Sequence, residues 1–190
     1  MELIGYHGTN AENEDMILSG NFRVSTKEDE WLGTGAYFFI DGVSDPEHNA
    51  SCWAKRHSYD KIRKRYKYTQ FSVIKANISI NNPLNLDSIE GKKVFNYYRD
   101  ELIGIMKKNN ISSTKSFEKS LKNDCEVCNY IAKAIGCDAI IRSEYIKLDL
   151  WSRKNIYNSR IQNCTIISIR EPLRSIDKNS LTVVQRGRVI

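Results

Sequence analysis

Two glycine-bearing stretches near the start of the chain constrain its fold more than any other feature. They are Tyr6-His7-Gly8-Thr9 and Trp31-Leu32-Gly33-Thr34-Gly35-Ala36-Tyr37-Phe38-Phe39. Residues 3–6 have the apolar character of a short strand running into His7, and residues 37–40 read as a strand leaving a Gly-Thr-Gly turn. Glycine at such places lets backbone approach backbone or a ligand with no Cβ in the way. Each stretch alone is ordinary, because a histidine at a strand end usually has a structural role and a glycine turn before an aromatic strand carries little weight. Their order and their neighbours are what make them informative.

The remaining pattern alternates helix and strand. Asn10 signals a helix through Met16, Ile17 and Leu18 that Gly20 closes. Residues 22–24 are extended and 25–30 form a polar loop. Asp45 and Pro46 open a helix carrying Ala50, Trp53 and Ala54, and residues 70–80 read as a strand. Asn81-Asn82-Pro83 breaks the chain ahead of helices at 88–108 and 117–135, joined by a polar loop at 109–116, and Gly136 closes the second helix. Strands are expected at 138–142 and 161–169, with a short edge strand at 181–184. No repeat or linker interrupts the pattern, so residues 1–190 are expected to form one α+β domain built on split antiparallel sheets with flanking helices.

At 190 residues the chain is long enough for one domain with a substantial core, and 41% hydrophobic with 27% charged residues is an ordinary globular composition. No apolar run approaches the roughly 18 residues that a membrane span needs. The opening Met1-Glu2-Leu3-Ile4-Gly5 lacks a basic region before an apolar one, so no signal peptide is expected and the cytoplasm is the expected compartment. Five scattered cysteines argue against a secreted disulfide framework. Cys125 and Cys128 form the one Cys-x-x-Cys pair, with no further ligands at metal spacing, so no metal is expected and the pair reads as two residues of a helix.

The net charge of +6 is concentrated. Lys55, Arg56, Lys61, Arg63, Lys64, Arg65 and Lys67 accompany a single acid, Asp60, with Tyr59, Tyr66 and Tyr68 among or beside them. Cations neutralise phosphates and rings stack on unpaired bases, so the strip suits a nucleic acid. It equally suits a solvated helix face followed by a strand start.

In this order and spacing, the two opening stretches resemble the nicotinamide-dinucleotide pocket of the ADP-ribosyltransferases. The resemblance is to the branch shared by diphtheria toxin and the poly-ADP-ribose polymerases, whose signature is a His, then a Tyr, then an acid. It spans Tyr6 to about Ile169, although residues 87–135 match nothing in it. It implies NAD as co-substrate and no metal. By resemblance, His7 hydrogen-bonds the adenosine-side ribose, the Gly8 backbone clamps the carboxamide, and Thr9 completes the motif. Gly35 belongs to the turn before Tyr37, which packs against nicotinamide. A second ring is expected from the following helix, where Trp53, His48 and Cys52 compete according to register; Trp53 also suits a core position.

The third position falls on Gln162. Glutamine keeps donors and an acceptor but supplies no negative charge, which weakens stabilisation of a ribosyl cation by a few kcal/mol unless another residue, such as Glu144, provides it. Such departures occur in members that transfer a single ADP-ribose, so polymer synthesis is not implied. A second class of toxin transferases uses an Arg, a Ser-Thr-Ser and a Glu-x-Glu; Glu28-Asp29-Glu30 has the spelling of the last but lies in an early loop. The resulting expectation is an NAD-dependent mono-ADP-ribosyltransferase toxin, similar to those of toxin–antitoxin and phage-defence systems, with a cognate antitoxin as a further partner. Its acceptor is an intracellular macromolecule, and the basic strip at Lys55, Arg56, Arg63, Lys64 and Arg65 favours RNA. The alternatives are a protein side chain as acceptor, a degenerate pocket that only binds NAD or nucleic acid, and a relative of the tRNA phosphotransferases. That last alternative lacks the expected basic phosphate-binding residues.

Overall fold

The computed structural model describes residues 1–60, 62–110, 119–155 and 157–189. These residues form strands β1 (Glu2–Asn10), β2 (Ala36–Ile40), β3 (Tyr59–Asp60), β4 (Arg65–Tyr66), β5 (Gln70–Ser79), β6 (Pro83–Asn85), β7 (Ala139–Glu144), β8 (Cys164–Ile169) and β9 (Thr182–Arg188). The helices are α1 (Glu14–Gly20), α2 (Pro46–His57), α3 (Ile89–Lys108), α4 (Lys119–Ile135), α5 (Leu150–Lys154) and α6 (Pro172–Ser175). Most of the loop expected at 109–116, the helix start expected at Phe117, and Lys61 of the basic strip lie outside the described residues.

Seven strands make one sheet in the order β6-β7-β8-β2-β1-β5-β9, while β3 and β4 form a separate hairpin. The architecture is α+β, but the sheet is mixed: β6 and β7 run parallel because α3 and α4 carry the chain back across the sheet between them. The expectation of purely antiparallel split sheets is corrected in this respect. The sheet nonetheless parts at its centre. β1 and β2 pair only at Gly5↔Ile40 and Tyr6↔Phe39. Beyond Tyr6, β1 continues alongside β5 as far as Asn10↔Phe71, and the Ala36 end of β2 runs alongside β8. The diverging ends leave a notch between two strands that are neighbours in the sheet.

Strand alternation sends the two sheet faces into separate apolar layers. Phe39, Val73, Ile140 and Ile166 pack beneath Ala50 and Ala54 of α2 and Val127, Cys128 and Ile131 of α4. Phe38, Ile74, Ile78 and Ile167 pack with Ile17 of α1 and with Ile176 and Leu181 on the other face. Cys125 and Cys128 are buried, free residues of α4, as their helical reading required, and burial pushes the Cys128 thiol up to about 12. No helix among the described residues is long and apolar enough to cross a membrane.

Several boundaries differ from the sequence pattern for identifiable reasons. β1 runs through His7 instead of ending there. α1 ends at Gly20 as expected, but the positive φ falls on the next residue, Asn21 (φ 69, ψ 178), whose side chain is held by the Phe22 N–H at 2.7 Å and by the Pro172 carbonyl at 3.3 Å. β8 starts at Cys164, not at 161: the Asn163 N–H still donates to the Glu144 carbonyl at 3.0 Å, but the next contact along that edge is made by the Asn163 side chain and not by backbone. Its amide accepts from the Ile146 N–H at 2.8 Å and donates to the Ile146 carbonyl at 2.9 Å, and the chain before it leaves the sheet. The basic strip ends α2 and then folds into the β3–β4 hairpin, whose turn contains Lys64 at φ 51.

Candidate active site in the notch between two strands

The notch holds a cavity of about 170 Å³, lined by His7, Gly8, Gly35, Tyr37, Trp31 and Trp53 together with residues of both sheet faces. That volume suits one aromatic amide and not a whole dinucleotide. β1 presents the imidazole to it. The His7 Nδ1 lies 2.8 Å from the Tyr37 carbonyl oxygen, which can only accept, so Nδ1 carries the proton and Nε2 is left as an acceptor. The ring packs edge-on against Phe22 at 5.0 Å and Phe38 at 5.8 Å. Burial holds its pKa below the ordinary 6.5, with the hydrogen bond to Tyr37 opposing, so the imidazole is neutral at pH 7.

Tyr37 supplies more than a ring. Its hydroxyl donates to the Gly33 carbonyl at 2.6 Å and accepts from the Leu32 N–H at 2.8 Å, which ties down the loop that carries Trp31. Gly33 sits at φ 76, where a side chain would be strained. The same loop is anchored from α4 and from beyond β8: Thr34 N–H donates to Asn129 Oδ1 at 2.7 Å, and Arg170 donates to the Leu32 carbonyl at 2.7 Å. Tyr37→Phe is therefore expected to keep the ring but leave two loop groups unpaired, costing about 1–3 kcal/mol of stability. Thermal denaturation of the variant checks this.

Gly8 has a packing reason for lacking a side chain. A Cβ there would run into the Ala50 carbonyl of α2, whose small residues Ala50 and Ala54 lie flat on β1. The helix is started by Asp45, which accepts from the His48 N–H at 2.9 Å, and by Pro46 in the first turn. Its register decides among the three candidates for the second ring. Trp53 lines the cavity, meeting Trp31 edge-on at 5.5 Å and stacking on His57 at 5.6 Å, while the Arg56 guanidinium lies 4.8 Å over it. His48 and Cys52 contact each other at 3.4 Å and do not line the cavity.

The other expected members stand apart. The Thr9 hydroxyl accepts from the Asn13 amide at 2.9 Å and does not line the cavity. Gln162 falls in the exposed stretch before β8 and lines a different cavity, with Asp87, Asp124 and Arg142. Glu144 pairs with Arg142 at 3.0 Å, and burial raises its carboxyl pKa. The β8 residue that lines the notch is Ile166, which carries no charge. Of the basic residues, Arg63, Lys64 and Arg65 are exposed at the β3–β4 hairpin, Lys55 lies 5.1 Å from the Phe71 ring, and Arg56 is drawn onto Trp53.

The cavity is also lined by Ser25, Arg23 and Glu30, of which the sequence pattern raised only Glu30, within Glu28-Asp29-Glu30, and set it aside as part of an early loop. Ser25 bridges Gly35 through backbone bonds of 2.9 and 3.1 Å, and its hydroxyl donates to the Glu30 carboxylate. Arg23, two residues earlier, lines the same wall. Among the described residues no group of three or more His, Cys, Asp or Glu side chains is placed to hold a metal ion. No protein-family model and no curated protein matches the chain.

Proposed function

We propose that the notch takes the nicotinamide end of NAD and that the protein is a mono-ADP-ribosyltransferase that modifies a nucleic acid, RNA in particular. The observation that carries the reading is the meeting of His7, Tyr37 and Trp53 around one ring-sized cavity at the point where β1 and β2 part. Two aromatic side chains offer stacking surfaces, the neutral His7 offers Nε2 to a ribose hydroxyl, and beyond Tyr6 the edge of β1 has no β2 partner, so its backbone is open to an amide. Arg23 offers the diphosphate a counter-charge. We read the parted sheet as the split sheet of the ADP-ribosyltransferases.

The acceptor assignment follows α2. The helix that brings Trp53 to the notch ends in Lys55 and Arg56 and leads directly into the hairpin with Arg63, Lys64 and Arg65 exposed. Beside that hairpin, Lys154 lies 5.2 Å from the Tyr59 ring, and the nearby segment exposes Trp151 (66%) and Tyr157 (55%). Cations interleaved with exposed rings match the chemistry of single-stranded nucleic acid.

Incubating the protein with adenylate-labelled NAD, total RNA and total protein tests the reading. Label that enters RNA and is removed by nuclease is expected; label removed only by protease moves the acceptor to a protein side chain. The displacement of Gln162 and Glu144 from the notch favours one further reading, a pocket that binds NAD without cleaving it, and NAD binding without nicotinamide release would establish it. Growth arrest on induced expression, relieved by a co-expressed partner, tests the toxin and antitoxin part of the expectation and its cytoplasmic site.

A further inference from the structure

We propose that Glu30 is the carboxylate that faces the ribosyl cation, in the role that Gln162 cannot fill. The assignment rests on the NAD reading above, and its support is independent of the sequence motif. Among the described residues lining the notch, Glu30 is the one acid. Its carboxylate accepts from the Ser25 hydroxyl, and Ser25 is fixed to Gly35 by two backbone bonds. The loop acid is thereby carried on the same turn that leads into Tyr37. Among the described residues it has no ion pair, in contrast to Glu144, whose charge is engaged by Arg142 at 3.0 Å. A carboxylate with no ion pair, in a wall that also holds Trp31, Tyr37 and Trp53, is a preorganised partner for positive charge that develops during reaction.

The bond between C1′ of the ribose and the nicotinamide nitrogen breaks, and its electron pair returns to the ring, which leaves as neutral nicotinamide. C1′ becomes electron-poor and is attacked by an oxygen or nitrogen lone pair of the acceptor. The new bond forms at C1′, and the proton lost by the acceptor passes to Glu30 or to water. Glu30 stabilises the cation electrostatically and forms no bond to it.

The test compares wild type with Glu30→Gln, Ser25→Ala, Glu144→Gln and Gln162→Ala, measuring nicotinamide release, NAD affinity by calorimetry, and melting temperature. For Glu30→Gln, kcat is expected to fall about 10²- to 10³-fold, with unchanged melting and an NAD Kd within about threefold of wild type. Ser25→Ala, which loosens the carboxylate without removing it, is expected to lower kcat about tenfold with little change in KM. Glu144→Gln and Gln162→Ala are expected to stay within about threefold of wild-type kcat. Should Glu30→Gln fail to fold, Glu30→Asp serves, keeping the charge and losing less activity than Ser25→Ala combined with Glu30→Asp. An active wild type beside an equally active Glu30→Gln overturns the assignment and leaves the NAD reading standing. A wild type that neither binds nor cleaves NAD overturns both.

Discussion

His7→Phe is expected to reduce kcat/KM for nicotinamide release about 10- to 100-fold, the equivalent of roughly 1.4–2.8 kcal/mol. Phenylalanine keeps the edge-on contacts with Phe22 and Phe38, so the packing of the second apolar layer survives. What is lost is the Nε2 acceptor that the proposed function assigns to a ribose hydroxyl, and the Nδ1 bond to the Tyr37 carbonyl, 2.8 Å long in the native protein. The orphaned carbonyl adds a stability loss of about 1–3 kcal/mol, so melting temperature and kinetics are measured together.

The pH response has a defined sign. Burial lowers the pKa of His7 below its unfolded value of 6.5, so between those two values the unfolded chain binds more protons than the folded one. The His7 contribution to stability therefore declines as pH is lowered through 6.5 and levels off below the folded pKa. In His7→Phe that contribution to the slope is absent. If the neutral imidazole is the form that binds ribose, as proposed, binding is expected to persist at pH values where an unperturbed histidine is protonated.

Gly8→Ala is expected to be the most damaging single-atom change in the first motif. The added Cβ meets the backbone carbonyl of Ala50, which no rotamer change can move aside. A cost of about 3 kcal/mol follows from overpacking of this kind, lowering the melting temperature by roughly 6–12 °C for a chain of this size. Relief comes only by lifting α2 off β1, which moves Trp53 from the notch and weakens NAD binding as well. Ala54→Gly in the same chain is expected not to restore stability, since the Ala54 Cβ is the lesser obstacle at 3.1 Å. Calorimetric melting of the single and double variants checks both statements.

The meeting of His7, Tyr37 and Trp53 at one cavity was legible because each sits in a short local pattern: a strand entering a His-Gly pair, a glycine turn before an aromatic strand, and a capped helix with small residues. Fold class was legible for the same reason, apart from the parallel β6. That strand spans only three residues and starts at Pro83, which reads as a break. Gln162 was misplaced because Asn163 ends the ladder through its side chain, an interaction with no periodic signature. That Glu30 reaches the notch was not legible, because nothing in a polar loop shows that Ser25 will bridge Gly35 and bring the loop back over it. Asn129 and Arg170 are distant in sequence from the loop they hold, so their roles appear only when α4 and β8 are assembled. The basic strip was visible as charge, and its shape as a hairpin was not, because the turn depends on Lys64 at positive φ and on Asp60 accepting from the Ile62 and Arg63 N–H groups.

The measurement that bears most directly on the notch as a nicotinamide site is a crystal structure of the protein with nicotinamide bound. The expected result is a single ring in the cavity between β1 and β2, in contact with Tyr37 and Trp53, with its amide against the backbone of Gly8. A ring bound at another place, or an unoccupied notch in crystals saturated with nicotinamide, would contradict it.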